Sequence, residues 1–210
     1  MIADPTTKPC LFTIGHSDHE MGKFVSLLAR HGVNAVADVR SQPYSRFNSQ
    51  FNRELLAEVL KQAGIQYVFL GRELGARRSE RESYQDKQAR YDLIERLPAF
   101  REGLERLRRG IAAHRLALLC AEKDPLTCHR TILVCRHLRS EQIDIQHILE
   151  DGSLETTEQA ESRLLEVVGL PPTHLFLDRS ELIEQAYDLQ AERIAYTESE
   201  AASVASEDMW

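Results

Sequence analysis

The segment at residues 116–138, LALLCAEKDPLTCHRTILVCRHL, decides the fold. Its first five residues form an apolar run typical of a buried strand, and Asp124-Pro125 then interrupts the run. Apolar residues at helical spacing follow, so the segment predicts a strand, a loop and a helix that ends near Arg139. Open α/β sheets bind ligands at the edge beyond the carboxyl ends of their parallel strands. The loop of this segment is therefore expected to carry functional side chains.

Strand and helix patterns alternate along the chain before and after this segment. Further strands are predicted at residues 11–15, 35–39, 66–70 and 143–149. Helices are predicted from a capping box of Ser17 and Glu20 through Ala29, at residues 53–64, and at residues 98–113. This alternation predicts an α/β fold with a Rossmann-like, mainly parallel sheet flanked by helices and right-handed crossovers.

The predicted sheet fills one domain at residues 1–152. Residues 71–84 within it are polar and weakly periodic, which indicates a long surface loop or a mobile flap. Two acidic amphipathic pieces, at residues 159–168 and 180–195, predict an acidic helical extension at residues 153–197 that packs on the body. Residues 198–210 have the composition of a disordered tail.

Composition narrows the class of protein. The chain has 210 residues, of which 42% are hydrophobic, enough for one good core. The four cysteines form no CxxC pair, no apolar segment opens the chain, and none approaches the roughly 20 residues that cross a bilayer. We therefore expect a cytoplasmic protein with no membrane partner, and the sequence leaves its oligomeric state open.

Charge is divided unevenly along the chain. Residues 1–140 hold 23 Lys or Arg against 16 Asp or Glu, whereas residues 141–210 hold 3 against 17. The acidic part is interpreted either as a solvated face that keeps the protein soluble or as a shield for a basic body that binds phosphate-bearing ligands. The charge distribution is compatible with both interpretations.

Unlike polar groups converge at the predicted strand ends, and this convergence is the main functional argument. The candidate catalytic residues are Cys120, Cys128, His129, His16, Asp38 and Glu122. The candidate substrate-binding residues are Ser17, Arg40, Ser41, Arg46 and Arg130. Arginines interleaved with aromatic residues between positions 40 and 53 resemble a phosphate clamp with stacking rings, although the rings could instead anchor a long loop.

Each candidate also has a purely structural interpretation. Cys120 follows apolar residues and could be an inert core cysteine, but a helix N-terminus and an arginine nearby would favour a reactive thiolate. The helix N-terminus would also favour a thiolate at Cys128. His129 is interpreted either as a general base or as a helix-surface residue. Asp38 and Arg40 could pair with each other or with a ligand.

Cys120, Cys128, His129 and His16 are four possible zinc ligands. The spacing C-x7-C-H lacks a short paired CxxC signature, and adjacent helical residues point about 100° apart. The sequence therefore predicts no metal site, and no cofactor fingerprint is present.

Four motifs, TIGHS, DVRSQPYSRFNSQF, GIQYVFLGRELG and LLCAEKDPLTCHR, occur in this order. With them the chain closely resembles the domain of unknown function 488 family from about residue 11 to residue 152, and residues beyond look like a longer bacterial subgroup. The resemblance implies a compact α/β fold and no particular activity. A fainter rhodanese-like resemblance rests on DVRS and LLC, but the loop after Cys120 is not a glycine-rich cradle.

The leading functional hypothesis is an enzyme, a thiol-dependent transferase or hydrolase, acting on a phosphate-bearing or other anionic substrate such as a nucleotide or nucleic acid. Cys120 or Cys128 would be the nucleophile, and His16 or His129 the base. Arg40, Arg46 and Arg130 would bind the anion. The alternatives are a non-catalytic nucleotide- or nucleic-acid-binding module and an interaction protein that acts through its acidic tail.

Overall fold

A computed structural model of the protein describes residues 8–198, which form an α/β fold around a six-stranded sheet. The strands of this sheet are β1 (Cys10–Gly15), β2 (Ala35–Asp38), β3 (Gln66–Phe69), β6 (Leu116–Cys120), β7 (Asp144–Ile148) and β8 (Leu154–Thr156). A separate hairpin contains β4 (Tyr84–Gln85) and β5 (Gln88–Ala89). The helices are α1 (Met21–Arg30), α2 (Arg53–Gln62), α3 (Gly71–Leu74), α4 (Tyr91–Ile94), α5 (Pro98–Ala113), α6 (Thr157–Val168) and α7 (Arg179–Ile194).

The strand order in the main sheet is β3-β2-β6-β1-β7-β8. All neighbouring pairs are parallel except β7 with β8. The prediction of a mainly parallel sheet flanked by helices is thus confirmed. Strand β8 was not predicted, because it has only three residues and its sequence, LET, shows no apolar alternation.

Alternate residues of β6 enter two different halves of the core, as the period of two in a strand requires. Ala117 and Leu119 pack in a cluster with residues of α1 and α2. Leu118 and Cys120 pack in the other cluster, with residues of α5, α6 and α7. The sheet is therefore buried on both faces, and the Cys120 side chain points to the face that α5 and α7 cover.

The C-terminal helices α6 and α7 pack against the body of the molecule through apolar and charged contacts. Leu164 and Tyr187 are buried in the same cluster as Cys120. Glu184 forms ion pairs with Arg136 and Arg139. Part of the acidic charge of this region is therefore used to dock it against arginines that precede it in the chain.

The predicted capping box at the start of α1 is wrong. The helix begins later, with Glu20 at the N-cap and no side-chain capping hydrogen bond. Ser17 adopts a positive φ of 48°, and its hydroxyl donates to Asp18. The polypeptide turns sharply after β1, so Ser17 belongs to that turn and not to the helix.

The predicted surface loop at residues 71–84 is in part helical and buried. It contains α3 and a short 3-10 turn at Arg81–Ser83. The buried guanidinium of Arg78 donates to the carbonyl oxygens of Arg72 and Glu73. This arginine satisfies the free carbonyls at the end of α3, which a polar sequence pattern alone does not reveal.

The helix predicted after Pro125 is divided into short pieces. Asp124 caps a 3-10 turn at Pro125–Thr127 by accepting a hydrogen bond from the Leu126 N–H group. A π-helical segment at Arg130–Val134 and a 3-10 turn at Cys135–His137 follow. Single π-helical turns are frequent at functional sites.

Within residues 8–198, no helix has both the length and the apolar character needed to cross a lipid bilayer. The predicted disordered tail lies outside the described residues, apart from Glu198. That residue forms an ion pair with Arg81, and its backbone N–H group donates to the Lys87 carbonyl oxygen.

Packing of α6 predicts unequal effects of two substitutions on the same helix. Leu164 is fully buried, so Leu164→Ala should lower the free energy of unfolding by about 2–5 kcal/mol through lost burial and a cavity. Val167 is 46% exposed, so Val167→Ala should change the free energy of unfolding by less than about 0.5 kcal/mol. Urea denaturation measures both. Equal effects would contradict the placement of α6 on the core.

Candidate active site

The carboxyl ends of three neighbouring strands lie level with one another. Gly15 of β1 pairs with Cys120 of β6, and Asp38 of β2 pairs with Leu119. Just beyond the strands, the His16 N–H group donates to the Cys120 carbonyl oxygen over 2.9 Å. A Cβ atom on residue 15 would overlap the backbone carbonyl of Glu122, so this close approach requires glycine.

Four side chains from β6 and the following loop form a compact group, here named the thiol cluster: Cys120, Glu122, Cys128 and His129. One carboxylate oxygen, Glu122 Oε2, lies 2.9 Å from Cys120 Sγ and 3.0 Å from Cys128 Sγ. His129 Nδ1 lies 3.6 Å from Cys120 Sγ. The potential donor atoms of all four residues lie within 4.8 Å of one another.

A buried arginine fixes the loop that carries the thiol cluster. The Arg130 side chain is fully buried and donates to the backbone carbonyl oxygens of Glu122, over 2.6 Å, and Lys123, over 3.2 Å. Its Nε group also donates to the Thr13 hydroxyl of β1 over 3.4 Å. Arg130 therefore closes the loop onto the sheet and places a positive charge behind the two thiols.

Hydrogen bonds also orient His129 and Cys128. His129 Nε2 lies 2.9 Å from the Val39 carbonyl oxygen, which can only accept, so Nε2 carries a proton. That bond turns Nδ1 toward the thiols. Cys128 ends the 3-10 turn at Pro125–Thr127, and its Sγ accepts a hydrogen bond from the Arg130 N–H group over 3.4 Å.

Burial and neighbouring charges shift the pKa values of the two thiols in opposite directions. Burial raises the pKa of Cys120 well above its usual range, and its contact with Cys128 adds to the effect. Burial also opposes charge on Cys128, but the hydrogen bond from Cys120 and the positive charge of Arg130 hold the pKa of Cys128 well below its usual range. Burial and the nearby Cys128 raise the pKa of Glu122. Negative charge in the cluster is therefore favoured on Cys128 over Cys120.

Asp38, Arg40 and His16 form a second network beside the cluster. Arg40 is paired with Asp38 through Nε and Nη2, the shorter contact being 2.6 Å, and Tyr67 donates to the same carboxylate. His16 donates from Nδ1 to the Ser17 carbonyl oxygen and accepts from Arg40 at Nε2. Its ring stacks on Phe51, and burial lowers the pKa of His16 to about 4. Both ring nitrogens are therefore occupied, and His16 positions Arg40.

A cavity of about 330 Å³ opens above the strand ends. Its lining residues are Arg40, Ser41, Gln42, Tyr44, Ala76, Arg77, Tyr91, Cys120, Ala121, Glu122, Thr127, His129, Ile194 and Tyr196. Cys120, Glu122 and His129 thus line the same space as Arg40 and Arg77. Cys128 is buried and is not among the lining residues.

Of the remaining substrate-binding candidates from the sequence, Arg46, Arg130 and Ser17 lie outside this cavity, whereas Ser41 lines it. Arg46 is exposed on the loop after β2, where Phe47 is 97% exposed. Arg130 is buried beneath the loop, and Ser17 lies in the turn after β1. Ser41 lines the cavity, and its hydroxyl accepts a hydrogen bond from the Arg77 N–H group over 2.9 Å.

Sequence reasoning missed several cavity residues. Arg77 lies in the segment predicted as a surface loop, where the run GARRSER indicated only charge. Ile194 and Tyr196 come from the C-terminal extension, and the Arg77 guanidinium stacks over the Tyr196 ring at 4.4 Å. No local signal identifies these residues, because the contact between them joins distant parts of the chain.

A comparison with known protein families places the chain. A family model described as Domain of unknown function DUF488 matches residues 20–136. The chain belongs to this family. No curated protein and no solved structure matches the chain. The match confirms the family predicted from the motifs. The matched residues include the thiol cluster and Arg40. Its description gives no activity, so a function must be argued from the site.

The buried pair of Asp38 and Arg40 predicts a large effect of removing one partner. Asp38→Asn leaves the Arg40 guanidinium buried without its counter-ion, which should lower the free energy of unfolding by about 3–5 kcal/mol. Tyr67→Phe removes a single hydrogen bond to the same carboxylate and should cost about 0.5–1.5 kcal/mol. Chemical denaturation of both variants tests this. A loss below about 1 kcal/mol for Asp38→Asn would show that the pair does not hold the site together.

Proposed function

We propose that this DUF488 protein is a thiol-dependent enzyme, a transferase or hydrolase, and that its substrate is a small anionic molecule. The observation that carries the proposal is the position of Cys120. Its sulfur lies at the cavity wall, within hydrogen-bond distance of a carboxylate and an imidazole. A nucleophile beside a base, with that base oriented by a third group, is the usual arrangement for covalent catalysis.

Cys120 is the nucleophile in this proposal because it lines the cavity, whereas Cys128 does not. Glu122 accepts the Cys120 proton as the sulfur attacks an electrophilic carbon or phosphorus atom of the substrate. Burial opposes charge on His129, but the hydrogen bond and charge of Cys128 raise its pKa. As an imidazolium, His129 delivers the Nδ1 proton to the departing group. Water then cleaves the covalent intermediate in a hydrolase, or an acceptor molecule does so in a transferase. The attacking water or acceptor gives its proton to His129, and Glu122 returns its proton to the released Cys120 sulfur, so that one complete cycle restores the starting state.

The charge of the cavity supports an anionic substrate. Arg40 and Arg77 both line the cavity. Arg40 is held by its ion pair with Asp38, and Arg77 is held by stacking on the Tyr196 ring. Guanidinium groups fixed in this way bind carboxylate or phosphate groups through charge-assisted hydrogen bonds. A volume of about 330 Å³ suits a small ligand such as a mononucleotide. A nucleic acid would have to insert an extruded nucleotide.

One observation favours a non-catalytic module that binds the same anion. Cys120 is only 2% exposed, and buried cysteines often serve packing alone. The two functions differ in thiol reactivity, which anion binding alone does not require. The proposed chemistry also needs reduced thiols, so we propose the cytoplasm as the location.

Alkylation with iodoacetamide at pH 7 tests the nucleophile. We expect carbamidomethylation at Cys120 or Cys128 before Cys10, although Cys10 is the most exposed of the four cysteines. Glu122 can accept the Cys120 proton, and Arg130 favours the Cys128 thiolate. Cys10 lies outside the cluster, and burial and Asp144 raise the pKa of Cys10 to about 11. Mass spectrometry locates the label, and Cys135→Ser serves as a control in which the cluster is intact. If the cluster thiols react only after unfolding, the enzyme proposal fails.

Equilibrium dialysis with phosphate and with AMP tests the anion site. Arg77→Ala should weaken binding about tenfold to hundredfold, because a hydrogen bond to a charged group contributes about 1.5–3 kcal/mol. The matched control is Arg46→Ala, which removes an exposed arginine that does not line the cavity. Equal loss in both variants would indicate non-specific attraction by surface charge. No binding of either anion to the folded wild type would remove the support for an anionic substrate.

A further inference from the structure

The thiol cluster has the composition of a metal site as well as that of a nucleophile. Two sulfurs, an imidazole nitrogen and a carboxylate oxygen converge within 4.8 Å. Zinc takes these donor types in tetrahedral sites with bonds of about 2.0–2.3 Å, so the edges of the tetrahedron measure about 3.3–3.8 Å. The most distant pair of donors would have to approach by about 1 Å. Glu122 Oε2 lies 2.9 and 3.0 Å from the two sulfurs, and its exposed side chain can rotate to lengthen both distances to a tetrahedral edge.

The hydrogen bond of His129 is a second, independent observation. Histidines that bind metals usually donate their other ring N–H group to a carboxylate or a backbone carbonyl, which fixes the tautomer. His129 Nε2 makes this bond with the Val39 carbonyl oxygen over 2.9 Å. Its Nδ1 lone pair is therefore directed at the sulfurs. The ring is oriented for a cation as well as for a proton.

The charges around the cluster also fit a divalent cation. Two thiolates and one carboxylate carry three negative charges, and the buried Arg130 guanidinium beneath them carries one positive charge. A bound divalent ion would bring this buried group to neutrality. Soft sulfur ligands select zinc over magnesium or calcium, whose sites consist of oxygen atoms.

We propose that Cys120, Glu122, Cys128 and His129 bind one zinc ion, and that this binding reversibly switches off the thiol chemistry of the same site. The regulatory part rests on the proposed function, whereas the binding part does not. Zinc binds both sulfurs as thiolates, so any proton that the cluster thiols still carry passes to the buffer, and no electron is transferred. Because the protein supplies four donors, the ion has no open position for a water molecule, whereas catalytic zinc sites keep one position open.

The experiment uses the full chain, dialysed against a chelator and then titrated with zinc and, separately, with cobalt. We expect one zinc ion per chain and a cobalt complex with sulfur-to-metal charge-transfer absorption. Cys128→Ser should weaken zinc binding by more than the factor of about 10–100 that the loss of an outer-shell partner costs. Cys135→Ser is the matched control, because Cys135 is also buried but lies outside the cluster.

Circular dichroism of each variant shows whether it folds, and His129→Gln supplies a second ligand variant if Cys128→Ser does not. Absence of zinc binding by the folded wild type would overturn the inference. Binding that is unchanged in both ligand variants would also overturn it, since the ion would then lie elsewhere.

Alkylation of Cys120 in the same samples separates this inference from the proposed function. We expect zinc to protect Cys120 from iodoacetamide and the chelator to restore its reaction. A reactive Cys120 that zinc does not protect would overturn the switch and leave the enzyme proposal standing. Zinc binding by a protein whose thiols never react would support the metal site and overturn the enzyme proposal.

Discussion

The buried guanidinium of Arg130 is the interaction on which the site depends. Its hydrogen bonds to the carbonyl oxygens of Glu122 and Lys123 close the loop after β6, and its bond to Thr13 ties that loop to β1. Without these bonds, the guanidinium group and the carbonyl oxygens would be buried without hydrogen-bond partners, which costs free energy. The same positive charge lies behind Cys128 and favours its thiolate. One residue therefore holds the loop in shape and sets its chemistry.

The main sheet and the strand ends could be predicted from the sequence because their signals are local. Apolar runs at residues 11–15 and 116–120 identify parallel strands, and parallel strands place their carboxyl ends at one edge. This places Cys120 near Asp38 without knowledge of the structure. The approach of Cys128 and His129 to Cys120 could not be predicted, since it depends on how the loop between them folds around Arg130.

The wall of the cavity shows the limit of local reasoning most clearly. Tyr196 follows α7, and its carbonyl oxygen accepts a hydrogen bond from the Ala89 N–H group. This places its ring under Arg77, and both residues face Cys120 across the cavity. Neither residue has a signature in its own neighbourhood of the sequence. The spacing of the cysteines in the sequence does not report the spatial approach of Glu122 to the two thiols either.

The central claim is that a reactive thiol and two arginines act on one ligand in one cavity. The most direct measurement compares the rates at which Cys120 reacts with iodoacetate, an anion, and with iodoacetamide, its neutral analogue. The account predicts a ratio of these rates well above that of a free cysteine peptide, by about tenfold, because Arg40 and Arg77 bind the carboxylate beside the sulfur. It also predicts that Arg77→Ala lowers the ratio and Arg46→Ala does not. A ratio equal to that of the peptide, or one that Arg77→Ala leaves unchanged, would contradict the claim.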